Sequence, residues 1–83
     1  MRVDDYLSTV GVVKRRTVAK ELGQNGLITI NGQRAKPATN INVGDVIHIK
    51  GNRSVTVEVL EVPAGSVPKD KRDKYFKTIT HEG

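Results

Sequence analysis

The sequence predicts an α+β fold in which two N-terminal helices pack on a small, mostly antiparallel sheet. Three observations predict it. Residues 14–36 read KRRTVAKELGQNGLITINGQRAK, a one-faced helical stretch that passes through Gly26 into a short alternating strand ending at Asn31-Gly32. Val55, Val57 and Val59 alternate with Thr56 and Glu58, the period of half-buried strands. The chain has 83 residues and no cysteine, so one thin core of Val, Ile and Leu must carry the stability without disulfides.

The elements follow in order. Asp4, Asp5, Tyr6, Leu7 and Val10 suggest a first helix of about two turns, with its acids where the helix dipole favours them. Gly11 is a plausible stop. A second helix spans roughly Arg15 to Asn25, with Val18, Ala19 and Leu22 on one side and Arg16 and Lys20 together on the other. Gly23 weakens that helix by about 1 kcal/mol relative to alanine. Gly26 is a left-handed terminator. Leu27 to Ile30 is a strand, Asn31-Gly32 a tight hairpin turn, and Gln33 to Lys36 the return strand. After a loop over Pro37–Asn42, Val43-Gly44-Asp45 turns into the strand Val46–Lys50, and Gly51-Asn52 turns into the strand Val55–Val62.

Pro63 to Pro68 breaks the pattern, and Lys69 to Thr80 is rich in charge. Asp70 with Lys74 and Asp73 with Lys77 have helical spacing. Two readings of this stretch stay open: a short C-terminal helix pinned by Tyr75 and Ile79, or a frayed tail. Residues 1–62 are expected to form the folded domain, and residues 63–83 a charged, partly ordered extension.

Charge narrows the function. The chain carries a net charge of +5. Residues 1–36 hold seven Lys/Arg against three Asp/Glu, whereas residues 37–83 hold seven against six. Cations concentrated on one compact unit point to a polyanion, nucleic acid first. A membrane surface would require a large apolar helical face, which no segment offers. Residues 1–20 lack a signal-peptide apolar core and no stretch is long enough to span a bilayer, so a cytoplasmic protein is expected. His48 and His81 have no partner at metal-ligand spacing, and no metal or cofactor is expected. Ser8, Ser54 and Ser66 have no base arranged beside them, and the glycines form no phosphate-cradling loop, so no catalytic residue is assigned. The aromatics Tyr6, Tyr75 and Phe76 are few and scattered, which favours reading folded RNA by shape and phosphate over stacking on single strands.

Several short runs then fall into a familiar order: Arg2-Val3-Asp4 with Leu7, Arg16-Thr17-Val18-Ala19, Gly26 to Gly32, Lys36-Pro37 and Gly44-Asp45. Together they resemble the RNA-binding domain first seen in ribosomal protein S-four. In that family the runs read Arg-Leu-Asp, Ser-Arg-x-x-Ala, Gly-x-Val-x-Val-Asn-Gly and Gly-Asp. The core motif covers about residues 1–50. Each run alone is weak, and their order and spacing carry the signal. Two small stand-alone types are the most similar: bacterial ribosome quality control factors, and next the fifteen-kilodalton ribosome-associated heat-shock proteins. The resemblance implies non-catalytic binding of structured rRNA on the large ribosomal subunit, with peptidyl-tRNA as a second contact. It implies support for rescue or quality control of stalled peptidyl-tRNA complexes, by a monomer working beside a larger quality control factor. The alternatives are heat-shock-type ribosome recycling or an accessory module of RNA modification.

The resemblance marks Arg2, Arg16, Thr17 and Lys20 as RNA-binding candidates, and Lys14 and Arg15 at the entrance of the second helix and Arg34 and Lys36 on the return strand join them by position. Arg16 has the planar fork that engages two phosphate oxygens. Arg34 and Lys36 alternate on the return strand and form the second jaw of a groove whose first jaw is the second helix. Asp4 repels phosphate, and its expected part is to orient Arg2 or Arg16 through a charge-assisted hydrogen bond. Gly26, Asn31 and Gly32 are structural supports. The chain departs from the family at Arg15, which stands where serine caps the helix and which cannot accept the amide hydrogen bonds. Ser8 and Gly11 also stand where further basic residues are frequent, and the C-terminal segment matches neither type closely. With about four to six phosphate contacts, log affinity should fall with log salt at a slope of roughly −3 to −5.

Overall fold

The computed structural model describes residues 1–51 and 54–82, with side chains described through residue 79. Its elements are α1 (Val3–Thr9), α2 (Arg16–Gln24), β1 (Ile28–Ile30), β2 (Gln33–Arg34), β3 (Val46–Ile49), β4 (Ser54–Val59), a 3-10 turn over Lys69–Lys74 and β5 (Phe76–Glu82). All neighbouring strands are antiparallel, in the order β2-β1-β3-β4-β5. This is the α+β architecture that the sequence predicts.

Alternation builds the core. Ile28 pairs with Ile49, Ile30 with Ile47, Ile47 with Val57 and Ile49 with Val55, so one sheet face is a continuous apolar layer. Val3, Tyr6 and Leu7 of α1, Val10 at its end and Ala19 of α2 close over that layer. On the opposite face Thr29, His48 and Thr56 lie in a row, and His48 Nδ1 and Thr56 Oγ1 are 2.8 Å apart.

Two turns fix the frame. Asn31 (φ 53°) and Gly32 (φ 83°) both adopt the left-handed conformation that a two-residue hairpin demands. Asn31 also accepts the Val46 amide at 3.0 Å and donates to Asp45 at 3.1 Å, tying the hairpin to the turn that opens β3. The return strand is shorter than expected, because the chain leaves the ladder after Arg34 and only the Ala35 amide still reaches the Ile28 carbonyl, at 2.9 Å. Residues 37–41 then fold back on the N-terminus: Val3 donates to Thr39 at 2.8 Å, and Ile41 to Met1 at 2.9 Å.

The C-terminal segment differs from both sequence readings. No α-helix forms over residues 69–80, and instead the 3-10 turn leads into a fifth strand. Spacing of Asp70 with Lys74 suggested a helix, but Thr78-Ile79-Thr80 is a β-branched run that suits an edge strand. The β4 edge supplies its partner, with Val59 opposite Phe76. Thr56 pairs with Thr80 and Val57 with Thr78, which leaves Ile79 as a bulge without an opposite residue. β4 ends at Val59, short of the predicted Val62, because the Leu60 and Glu61 amides turn to the Tyr75 carbonyl, at 2.9 and 3.2 Å. The turn expected at Gly51-Asn52 falls partly outside the described residues. Val18, expected in the apolar stripe of α2, is 43% exposed, and the stripe is Ala19, Leu22 and Gly23.

Candidate nucleic-acid interface

α1 and α2 meet through charge at their N-terminal ends. Asp4 is fully buried. Its Oδ1 accepts the Asp5 amide at 2.7 Å, and its Oδ2 accepts a hydrogen bond from Arg2 Nη2 at 3.0 Å. Arg16, the first residue of α2, brings its Nε to 3.9 Å from the same oxygen and to 2.9 Å from Asp5 Oδ1. A buried carboxylate loses most of its hydration and requires such partners. The two arginines are not buried: their side chains are 41% and 55% exposed. Asp4 thus acts as an anchor under two outward-facing guanidiniums. Asp5 is the member of this cluster that sequence reading did not assign. Its link to Arg16 crosses from one helix to another, and no local spacing reports it.

The ion pairs leave Arg2, Arg16, Asp4 and Asp5 neutral as a group. The surplus charge of the surface therefore comes from the cations around them. Lys14 and Arg15 are exposed in the loop that enters α2, and Thr17 is exposed in its first turn. Arg15 is the N-cap in extended conformation and makes no side-chain cap, which leaves the first amides of α2 without a side-chain acceptor. Free amides, a positive helix end and the successive cations Lys14 and Arg15 form a locally electropositive corner.

Lys20 is exposed and lies one turn from Arg16 and one turn from Gln24. Gln24 lines a cleft of about 430 Å³, together with Gly23, Asn25, Gly26, Arg34, Ala35, Lys36 and Pro37. The cleft lies between the end of α2 and the return arm of the hairpin. Arg34 leans over Gly26, where an added Cβ would stand 3.0 Å from its Nε and 3.2 Å from its Cζ. It thereby sets a positive charge against the negative end of α2.

Pro37 joins the two halves of the surface. Its carbonyl accepts the Asp4 amide at 3.3 Å, and its ring packs on Gly23, where an added Cβ would lie 2.8 Å from Pro37 Cγ. The Arg2–Asp4–Arg16 cluster and the Arg34–Lys36 arm are thus fixed to one residue. Gly23, which looks like a weakness in the helix, is a contact point where α2 approaches the backbone of the loop.

Tyr6 is fully buried and does not belong to this surface. Its hydroxyl donates to the Tyr75 carbonyl at 2.7 Å, and burial pushes its pKa far above the usual phenol value. Among the described residues no group of acidic, histidine or cysteine side chains is arranged to hold a metal ion. No helix among them is long and apolar enough to cross a membrane.

Comparison with known proteins bears on this arrangement. The S4 domain family model matches residues 1–47. The RQC P-site tRNA stabilizing factor of Streptococcus pneumoniae is 41% identical over 76 residues, covering 90% of this chain and 86% of that protein. The factor of the same name from Halalkalibacterium halodurans is 44% identical over 83 residues, covering 99% and 93%. The trimeric structure of Vibrio cholerae heat shock protein 15 superposes with a TM-score of 0.85 at 22% identity, over 95% of this chain and 81% of that one, a likeness of fold alone. The chain belongs to the S4 domain family and, within it, to the family of RQC P-site tRNA stabilizing factors.

Proposed function

We propose that this protein binds structured rRNA on the large ribosomal subunit and contacts the peptidyl-tRNA held there, as a non-catalytic cytoplasmic factor in quality control of stalled complexes. The observation that carries this reading is the buried Asp4 beneath Arg2 and Arg16. A carboxylate beside a phosphate-binding surface weakens binding unless it serves to aim cations, and here it contacts two of them, both more than 40% exposed. The electropositive corner at α2 and the Arg34–Lys36 arm widen the surface to the reach of an RNA backbone. The printed name of the relatives, which refers to stabilizing P-site tRNA, supports tRNA as the second contact. Binding is electrostatic and geometric, through guanidinium and ammonium groups on a rigid helix–hairpin unit.

The test is co-sedimentation with large ribosomal subunits. Arg16→Ala removes a charged hydrogen-bond donor worth about 1.5–3 kcal/mol, so affinity should fall roughly tenfold to a hundredfold while the domain stays folded. A folded variant that co-sediments like wild type excludes Arg16 from the mechanism.

A further inference from the structure

We propose that Arg72 is a further nucleic-acid-binding residue, carrying the basic face past the entrance of α2 onto the C-terminal segment, with RNA phosphate as its ligand. The inference rests on the RNA-binding reading above and adds a contact from a part of the chain outside the residues 1–47 that the family model matches.

Three observations converge on Arg72. The first is its seat. Arg72 lies in the 3-10 turn, yet its side chain crosses to the loop between α1 and α2 and rests on Gly11. A Cβ at Gly11 would stand 2.8 Å from Arg72 Cδ, 2.9 Å from Nη1 and 3.2 Å from Cζ. Gly11, at φ 82°, leaves the guanidinium this room, and an added Cβ would require the Arg72 side chain to shift.

The second is its lack of a counter-charge. Arg2 and Arg16 are each held by a carboxylate, but Arg72 forms no ion pair among the described residues, although Asp70 and Asp73 flank it on the same turn. Its Nε is buried with no hydrogen-bond partner. A guanidinium seated against Gly11, partly stripped of water and without a carboxylate partner among the described residues is poised for an anion that arrives from outside.

The third is position. Gly11 precedes Lys14 by three residues, a span of at most about 11 Å of extended chain. One RNA strand that touches Lys14 and Arg15 therefore passes within reach of Arg72. The 3-10 turn reads KDKRDK, with four cations against two acids, so its own charge favours the same partner. Local sequence gives no sign of this, because positions 11 and 72 meet only through the tertiary fold.

Arg72→Gln keeps a polar group on a shortened stem and removes the charge. It is compared with wild type and Arg16→Ala for binding to large ribosomal subunits over a series of salt concentrations, with melting temperature recorded for each. The expected result is a melting temperature within about 3 °C of wild type, roughly three- to tenfold weaker binding, and a salt slope smaller in magnitude by about one. Arg72→Lys should restore the slope. Weaker binding with an unchanged slope reduces Arg72 to a brace for the loop and overturns the proposal, as do unchanged affinity and slope. If Arg16→Ala weakens binding and Arg72→Gln does not, only this inference falls; if wild type itself shows no salt-dependent binding, the RNA-binding reading falls with it. Should the glutamine variant not fold, phenylglyoxal modification of the wild-type protein decides. Arg72 protected by bound subunits supports the contact, and equal reactivity with and without subunits refutes it.

Discussion

Asp4 sits between two arginines with no exposed surface, and the energetics of that arrangement are specific. The desolvation of its carboxylate is offset by the Asp5 amide and two guanidiniums, so its value lies in orientation more than in net stability. Asp4→Asn keeps the shape and removes the charge. Because the Arg2 and Arg16 side chains are 41% and 55% exposed, stability should change by less than about 1.5 kcal/mol in chemical denaturation. Simple Coulomb reasoning says that removing a negative charge strengthens RNA binding. The geometry predicts the opposite, a loss of about three- to tenfold in a gel-shift titration, since Arg2 loses its carboxylate partner and Arg16 is left with Asp5 alone. Tighter binding by the asparagine variant would contradict the assignment. Tyr6 gives the second prediction at this scale. Tyr6→Phe removes one hydrogen bond, but Leu60 and Glu61 still satisfy the Tyr75 carbonyl, so the loss should be only about 0.5–1.5 kcal/mol. The buried phenol stays protonated in the fold at pH values where the unfolded chain ionises. Its contribution is therefore complete below about pH 10 and declines as pH rises further. Thermal melts should show wild type losing more stability than Tyr6→Phe between roughly pH 9 and 11, and parallel pH profiles would refute the burial argument.

At the scale of elements, helices and strands rest on different kinds of information. The hairpin was legible because Asn31-Gly32 is a local backbone demand, and the left-handed angles at both residues meet it. β1 and β4 were legible from a period of two, and β2 and β3 from the turns that precede them, although β2 proved two residues shorter than expected. β5 was not, because its competing signals were nearly balanced: i,i+4 charge pairs suited a helix, and the β-branched run suited a strand. The unpaired β4 edge, more than fifteen residues earlier, decided between them, and no local window contains it. α2 illustrates the same limit at Gly23. Propensity alone says that alanine there stabilises the helix by about 1 kcal/mol. The Pro37 ring stands 2.8 Å from the position of that methyl group, beside the loop backbone, and cannot swing aside. Gly23→Ala should therefore lower stability, by about 1–3 kcal/mol in urea titrations, and should weaken RNA binding by separating α2 from the Arg34–Lys36 arm. A stabilised variant would show that the contact between α2 and Pro37 is loose.

Across the whole molecule, the identities of the candidate cations were readable from residue types in a familiar order. Their neighbours were not, since Asp5 beside Arg16, Pro37 against Gly23 and Arg72 on Gly11 all join distant positions. The resulting shape is asymmetric. The hairpin cation Arg34 lies on the edge strand β2, and β5 stands four strand spacings away, roughly 19 Å. Lys77, exposed on β5 opposite Glu58, is a cation outside the proposed surface. The most direct measurement is lysine acetylation of the free protein and of the protein bound to large ribosomal subunits, read residue by residue by mass spectrometry. The account predicts that Lys14, Lys20 and Lys36 become protected together while Lys77 keeps its reactivity. Protection of Lys77 with continued labelling of Lys20 and Lys36 would contradict it.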